Sequence, residues 1–452
     1  MKNGFIKGLL LGVGVCILAV LGFNIVVSAV NQQKKQEAGH SITIGSPSPS
    51  MDLAKNTPAA VTDTPAPTEA VNVTPSPIVS GVPTVTPTLS PTPTPILDPL
   101  TTNDLMSDEF MEKVELFENI INRYYYKDVS VSEIQTGILK GLMDGVGDPY
   151  TTYYVPEEYT ELQETTSGVY GGVGSYISKK NDSDYAIFLN PFEGGPADQA
   201  GILSGDIIYQ VEGEVVLGLG TDIIANKVRG EVGTVVHLTI YRESTQEYLD
   251  FDIVRAVVEA PTVAKEMLEG NVGYISVSAF DTVTEEQFKT AVDYVMANGA
   301  VGIIVDLRDN GGGVLSVCVN MADYILPQAQ LITYTRDKQG KGTKYYSKDN
   351  HQIDVPVVVL INGYSASASE VFTGALKDND RATVMGTTSF GKGIVQSVIP
   401  FTDGSAIKLT TSSYYTPSGV CIHGIGITPD VVVEPVEADN QKEAARKYIL
   451  GQ

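Results

Sequence analysis

Cysteine and histidine are scarce in this chain, and positive charge is outnumbered. The three cysteines, Cys16, Cys318 and Cys421, have no CxxC spacing. Cys16 falls in an apolar run, so at most one pair is left, and neither a disulfide framework nor a metal site follows. Histidine occurs four times, at His40, His237, His351 and His423, which narrows any search for an imidazole base. Lys and Arg number 30 against 54 Asp and Glu, a formal net charge of −24. Such a surface repels phosphate backbones and argues against a nucleic-acid partner. What the chain does have is 42% hydrophobic residues in a length of 452, enough for about three cored units at roughly 150 residues each.

Residues 8–30 form 23 consecutive positions without a charge. As a helix they extend about 35 Å, longer than a hydrocarbon core of about 30 Å. This run reads as a membrane anchor, or as a secretory signal segment with a small-residue site at Val27-Ser28-Ala29. Lys2 and Lys7 face Lys34 and Lys35 across it, so flanking charge biases the orientation only weakly toward a cytoplasmic N-terminus. Either reading exports the rest of the chain. Cys16 follows Val15, where a lipidated cysteine needs a small neighbour, and reads as an apolar membrane cysteine. Residues 41–100 then alternate Pro with Thr, Ser, Ala and Val, as in Pro91-Thr92-Pro93-Thr94-Pro95. This composition buries no core and favours an extended stalk of up to about 190 Å.

Phe110, Val114, Phe117, Ile121 and Tyr124 recur at helical spacing and predict an amphipathic helix. Ser132 and Gln135 have capping-box spacing at the head of a second helix, which Gly145, Gly147 and Pro149 end. From 168 to 255 short β-rich runs alternate with glycine turns. Tyr170-Gly171-Gly172-Val173-Gly174, Pro196-Ala197-Asp198-Gln199-Ala200-Gly201 and Gly205-Asp206 resemble a bacterial PDZ domain. Converging N–H groups at Tyr170, Gly171, Gly172, Val173 and Gly174 would seat a peptide carboxylate beside a strand edge; a bulged strand is the plainer reading of the glycines alone. His237 lies in an alternating strand and reads as a strand-face residue.

Beyond residue 271 strand and helix patterns alternate, which predicts α/β layers. One buried strand runs into Arg308-Asp309-Asn310-Gly311-Gly312-Gly313, another into Asn362-Gly363-Tyr364-Ser365-Ala366-Ser367-Ala368-Ser369-Glu370. Turns at the ends of such strands meet at one site. Gly363-Tyr364-Ser365-Ala366-Ser367 misses the last glycine of a GxSxG elbow, which lowers an α/β-hydrolase reading; His351 and His423 stay open as bases. Ser389-Phe390-Gly391-Lys392-Gly393-Ile394-Val395-Gln396 offers a lysine instead. Apolar burial lowers an ammonium pKa from about 10.4 by as much as ~3–5. With Phe390 and Ile394 excluding water, Lys392 would activate Ser367. Taken singly, Ser367 with Glu370 reads as a helix cap and Lys392 as a solvated side chain.

The joint pattern resembles the carboxy-terminal processing peptidases, or tail-specific proteases: serine peptidases with an inserted PDZ domain. The resemblance covers about 105–435. The family's Ser-Ala-Ser-Ala-Ser-Glu motif matches Ser365 to Glu370, making Ser367 the implied nucleophile, and Phe-Gly-Lys-Gly-x-Val-Gln matches Phe390 to Gln396, making Lys392 the base and Gln396 its orienter. The implied oxyanion donors are the N–H groups of Gly312 and Ala368. Where the family has Arg-Gly-Asn-Pro-Gly-Gly, this chain departs at Asp309 and Gly311. Asp378 reads as a structural ion-pairing residue and His423 as a structural histidine.

The resemblance implies an α/β, crotonase-like protease core, an inserted β-rich PDZ domain and an N-terminal helical section used by relatives for dimerisation. The expected divisions are 1–35 anchor or signal, 36–103 stalk, 104–165 helical section, 166–256 PDZ domain, 257–440 protease core and 441–452 C-terminal tail. It implies no metal and no cofactor, and proteins or peptides with free C-termini as substrates; the apolar run at 8–30 sets the catalytic part outside the cytoplasm, tethered to the membrane as a single-pass anchor or secreted where that run is cleaved. The rivals are a noncatalytic PDZ scaffold on a stalk and a thioester-cleaving crotonase relative, for which the PDZ insert has no use.

Overall fold

The computed structural model describes residues 105–180, 185–348, 351, 353–436 and 439–452. The anchor or signal run at 8–30 and the stalk at 36–103 lie outside the described residues. Among those described, no helix is long and apolar enough to cross a membrane.

The helix Asp108–Tyr124 forms a unit of its own. Ser107 caps it, its hydroxyl accepting the Phe110 N–H at 3.3 Å. Asp108 and Glu109 in the first turn and Arg123 in the last suit the helix dipole. The expected stripe is present, and Phe110, Phe117, Ile121 and Tyr124 along it are exposed.

In the larger unit, the helix Val131–Asp144 starts before Ser132, so that serine sits in the first turn and the expected cap is displaced. The strand Thr152–Tyr154 follows and pairs antiparallel with Ala406–Tyr415, Thr152 opposite Lys408. Residues assigned to the helical section thus add a strand to a sheet built otherwise from 331–415. The helix Pro156–Ser167 then stops at Gly168, whose φ of 74° is left-handed.

The two-stranded ribbon Val169–Gly172 with Ala256–Glu259 brackets the β-rich insert. Inside it the sheet runs Tyr176–Lys179, Ala186–Leu189, Ile207–Val211, Val235–Arg242 and Glu247–Val254, flanked by the helices Pro196–Ala200 and Thr221–Val228. Phe188, Ile208, Ile224, Val236 and Ile240 fill its core. The Gly205-Asp206 turn is explained by the buried Asp206 carboxylate, which accepts two bonds from Arg242 at 2.9 and 2.6 Å.

Two layers of helix enclose the main sheet, whose order is Val263–Leu268, Val272–Val277, Gly302–Asp306, Val357–Ile361, Ala382–Gly386 and Val431–Val432. The first pairing is antiparallel and the other four are parallel. Strands buried on both faces read as unbroken apolar runs, which is why they were visible in the sequence. Ile303, Val305, Val357 and Val359 pack with the helices Thr284–Ala297, Leu315–Ile325 and Ala368–Asp378. Ile304, Val358 and Leu360 face the other way, against Ala445 of the helix Asn440–Ile449. Residues 441–452, expected as a tail, therefore form part of this second layer. Arg308 fastens it, pairing with Asp306 and with Asp439 at the helix N-cap.

Candidate active site

Three loops at the C-terminal ends of the parallel strands build the site. Gly302–Asp306 leads into 307–314, Val357–Ile361 into 362–367, and Ala382–Gly386 into 387–393. Asn310 stitches the first two together from full burial. Its Nδ2 donates to the Val277 carbonyl at 2.9 Å, and its own carbonyl accepts the Ala366 N–H at 3.0 Å and the Ser369 hydroxyl at 2.8 Å.

Of the three alternating serines, the two outer ones are consumed by structure. Ser365 is buried and donates to the Leu307 carbonyl at 2.8 Å; Ser369 is buried on Asn310. Ser367 is half-buried and stands at the N-cap of Ala368–Asp378 with φ 54° and ψ −113°. A non-glycine residue held in that sparsely populated region is a strained turn of the kind found at functional sites.

Glu370, fully buried, joins this helix to the lysine turn. Its Oε2 accepts the N–H of Ser367 and the N–H of Lys392, each at 2.8 Å. Its Oε1 accepts the Ser389 hydroxyl at 2.6 Å and the Gly391 N–H at 2.7 Å. Four donors fill the acceptor capacity of a carboxylate. The capping relation seen in the sequence is present, then, and it does more than cap.

Tyr414 closes the same ring from below. Its buried hydroxyl lies 3.0 Å from the Ser367 carbonyl and also meets the Lys392 carbonyl. Burial, with Glu370 nearby, raises its pKa well above the ordinary phenol value, so it stays a donor. The glycines beside Lys392 admit a neighbouring backbone: a Cβ on Gly393 would meet the His423 N at 2.4 Å, and Gly391 takes φ 91°. His423 itself is exposed on that turn.

Lys392 is half-buried. Burial, and then the positive charge of Lys408, push its pKa from the ordinary lysine value down to about 8, against the opposing pull of Asp148 and Glu370. The ring over its Nζ is that of Tyr150, 4.1 Å to the centroid. Phe390, expected to shield the amine, is instead exposed. Gln396 lies on Ile394–Pro400, just past a bulge, and its Nε2 donates to the Thr410 hydroxyl at 3.2 Å.

Gly312 lies against the Ser367 turn. A Cβ there would meet the Ala366 carbonyl at 2.7 Å, Ser367 Cβ at 2.8 Å and the Ala368 N at 2.9 Å. Its own N–H donates to Asn310 Oδ1 at 2.9 Å. Ala368 opens the helix, where N–H groups have no partner within the helix. Both departures in this loop have local explanations. Asp309 takes φ 63°, tolerated by aspartate, and exchanges bonds with the Asn362 side chain at 3.0 and 2.9 Å. Gly311 is surrounded by open space and needs no glycine.

Other residues singled out in the sequence lie elsewhere. Asp378 accepts the Ser418 N–H at 2.9 Å, while the ion pair of that segment joins Lys377 to Asp430. His237 is exposed on its strand beside Asp252. His351 stacks on Tyr324. Tyr170, Gly171 and Gly172 are strand residues of the ribbon, and Gly171 is explained by close approach, since a Cβ there would lie 2.2 Å from the Gly230 carbonyl. Val173 and Gly174 follow, leading toward the edge strand Tyr176–Lys179. Sequence reading missed Asp148, Tyr150, Asn310 and Tyr414; the signal available for Asn310 was its place between the two strand-end motifs.

Most of this chain is similar to known proteins. A model of peptidase family S41 matches residues 271–433, and a PDZ domain model matches 190–242. A carboxy-terminal-processing protease of Bartonella bacilliformis is 34% identical over 74% of this chain and 78% of its own. A probable CtpA-like serine protease of Staphylococcus epidermidis is 37% identical over 72% of this chain and 65% of its own. The solved photosystem II D1 C-terminal processing protease is 28% identical, covering 74% of this chain and 90% of that one, with a TM-score of 0.44. With a third of its residues shared over most of a curated relative, and with a PDZ match ahead of the peptidase match, this chain belongs to the PDZ-containing carboxy-terminal processing peptidases of family S41.

Proposed function

We propose that the chain is an extracytoplasmic serine endopeptidase that captures the C-terminal tail of a protein on its PDZ domain and cleaves an upstream bond with Ser367 and Lys392. The observation that carries the reading is the single Glu370 oxygen that accepts N–H groups from both residues. Neutral Lys392 takes the Ser367 hydroxyl proton as Oγ attacks the carbonyl carbon, and the resulting ammonium returns that proton to the leaving amine. The Ala368 N–H, at a helix N-terminus, is the better supported oxyanion donor. The Gly312 N–H must turn from Asn310 to serve as the second. Water, deprotonated by Lys392, then releases the acyl-enzyme. Gln396 orients the amine. A crotonase-like core is what membership of the family implies.

Tail capture is assigned to the strand Tyr176–Lys179, the outer strand of its sheet in the order of the described strands, which lies against the helix Thr221–Val228. An extended peptide adds to such an edge through main-chain bonds. The loop at Val173 and Gly174 is then the seat for the carboxylate. Export and tethering rest on the 8–30 run, and self-association on the exposed stripe of Asp108–Tyr124.

The test is incubation of the full chain with two apolar-tailed peptides differing only in C-terminal amidation, followed by mass spectrometry. Cleavage of the free acid, strong preference over the amide, and loss of cleavage with retained binding in Ser367→Ala are expected. Binding without cleavage by the wild type would instead make the chain a scaffold.

A further inference from the structure

The Nε2 of Gln396 bonds to Thr410, and that bond leads to a carboxylate from a distant part of the chain. Gln396 and Thr410 are opposite one another on paired antiparallel strands, directly after the register shift at Val395 and Gln396. Bulges of this kind re-aim side chains next to active sites. Gln396 Nε2 donates to Thr410 Oγ1 at 3.2 Å and at longer range to the Ile394 carbonyl at 3.5 Å, and the Thr410 side chain acts on the Asp148 carboxylate as a donor that lowers its pKa. Asp148 is held from its own side as well, accepting the Thr151 hydroxyl at 2.6 Å and the Tyr150 N–H at 3.1 Å. Thr151 Oγ1 in turn accepts the Thr410 N–H at 3.2 Å.

We propose that Asp148 is a positioning residue for the reaction, fixing through Thr410 which end of the Gln396 amide faces the Lys392 amine. The inference rests on the Ser367–Lys392 reading. Its logic is the direction of hydrogen bonds. An ionised carboxylate only accepts, so the single proton of the Thr410 hydroxyl goes to Asp148. Thr410 has only lone pairs left for Gln396, which must present its NH₂ to it. The Gln396 carbonyl is thereby turned to the other side, as an acceptor for the Lys392 amine. A neutral side chain at 148 that can donate lets Thr410 reverse, and the Gln396 NH₂ then keeps only its long bond to the Ile394 carbonyl, so the amide is released to turn.

Electrostatics supports the same chain. Burial works to raise the Asp148 pKa, but bonds from Thr151, Thr410 and the Tyr150 N–H, with the Lys392 charge, hold it below the ordinary carboxylate value. It therefore stays an acceptor throughout the working pH range. The groups facing Lys392 are Lys408, Asp148, Glu370 and the Tyr150 ring. Asp148 and Glu370 raise the lysine pKa, and so does an acceptor on the amine. Replacing Asp148 with Asn removes its charge and releases the Gln396 carbonyl to turn away. Both changes lower the Lys392 pKa.

The experiment is the pH dependence of peptide hydrolysis by the full chain carrying Asp148→Asn, Thr410→Val or Thr410→Ser. Asp148→Asn is expected to lower kcat on its high-pH plateau on the order of 10- to 100-fold, with KM unchanged, while the acid limb moves to lower pH. Thr410→Val is expected to lower kcat by a similar factor, the double variant to lose no more than either single one, and Thr410→Ser to keep wild-type kcat. A misfolded protein loses tail-peptide binding and thermal stability without moving the acid limb, and Thr410→Val gives an independent reading. Wild-type kcat and acid limb in Asp148→Asn, or additive losses in the double variant, overturn the inference. Hydrolysis surviving Ser367→Ala overturns the Ser–Lys reading itself, whatever the Asp148 variants do.

Discussion

Glu370 Oε2 accepts the Ser367 N–H at 2.8 Å across one helical turn, and that bond fixes the Ser367 turn to the same carboxylate that holds the Lys392 backbone. Glu370→Gln exchanges one acceptor oxygen for an NH₂ that faces two of the four donors. A buried donor left without an acceptor costs about 1–3 kcal/mol. The variant is expected to unfold at lower urea and to lose most of its kcat. Denaturation and hydrolysis measured side by side check this, and a variant equal to wild type in both would show that the carboxylate has no such role.

Tyr414 touches the backbones of both Ser367 and Lys392 through one hydroxyl, at their carbonyls. Tyr414→Phe keeps the ring in the core and removes only those bonds. The expected stability loss is about 0.5–1.5 kcal/mol. A larger proportional fall is expected in kcat than in peptide affinity, because the spacing of the two backbones loosens. Thermal unfolding together with steady-state kinetics separates the two effects.

Gly312 has no room for a side chain. Its φ is 102°, and a Cβ would press on Ser367 Cβ at 2.8 Å. Gly312→Ala is expected to abolish hydrolysis by displacing the nucleophile turn, while Gly311→Ala, in open space, is expected to be near neutral. Comparing the two in one assay distinguishes a tight fit from a general need for glycine in the loop.

Lys408 adds to burial in lowering the Lys392 pKa. Lys408→Met removes a like charge, so the Lys392 pKa rises and less of the amine is neutral at pH 7. Activity at pH 7 is expected to fall while the high-pH plateau is retained. An acid limb that stays in place, or moves to lower pH, would contradict the electrostatic account.

The legible part of this site was local in sequence. Ser367 and Lys392 each stand in a short motif beside an apolar strand, and buried parallel strands such as Val357–Ile361 leave unbroken runs that periodicity detects. Asp148, Thr410 and Tyr414 carry no such mark. They reach the site through strand pairing, Thr152 opposite Lys408 and Gln396 opposite Thr410, and register across distant strands is not written in any one segment. Phe390 shows the converse: adjacency to Lys392 in sequence suggested a water shield, yet the strand pairing delivers Tyr150 instead. The helix Asn440–Ile449 leaves little mark in the sequence, because its buried contribution, Gln441 and Ala445, is small.

The central claim is that the base is a lysine made neutral by its surroundings, and the pH dependence of kcat/KM for hydrolysis of a free-acid peptide by the full chain tests it most directly. The account predicts a rate that climbs through an apparent pKa of about 8, the value to which burial and Lys408 bring Lys392, and that disappears in Lys392→Ala. A profile rising instead near 6.5, as an imidazole does, or activity surviving in Lys392→Ala, would contradict it.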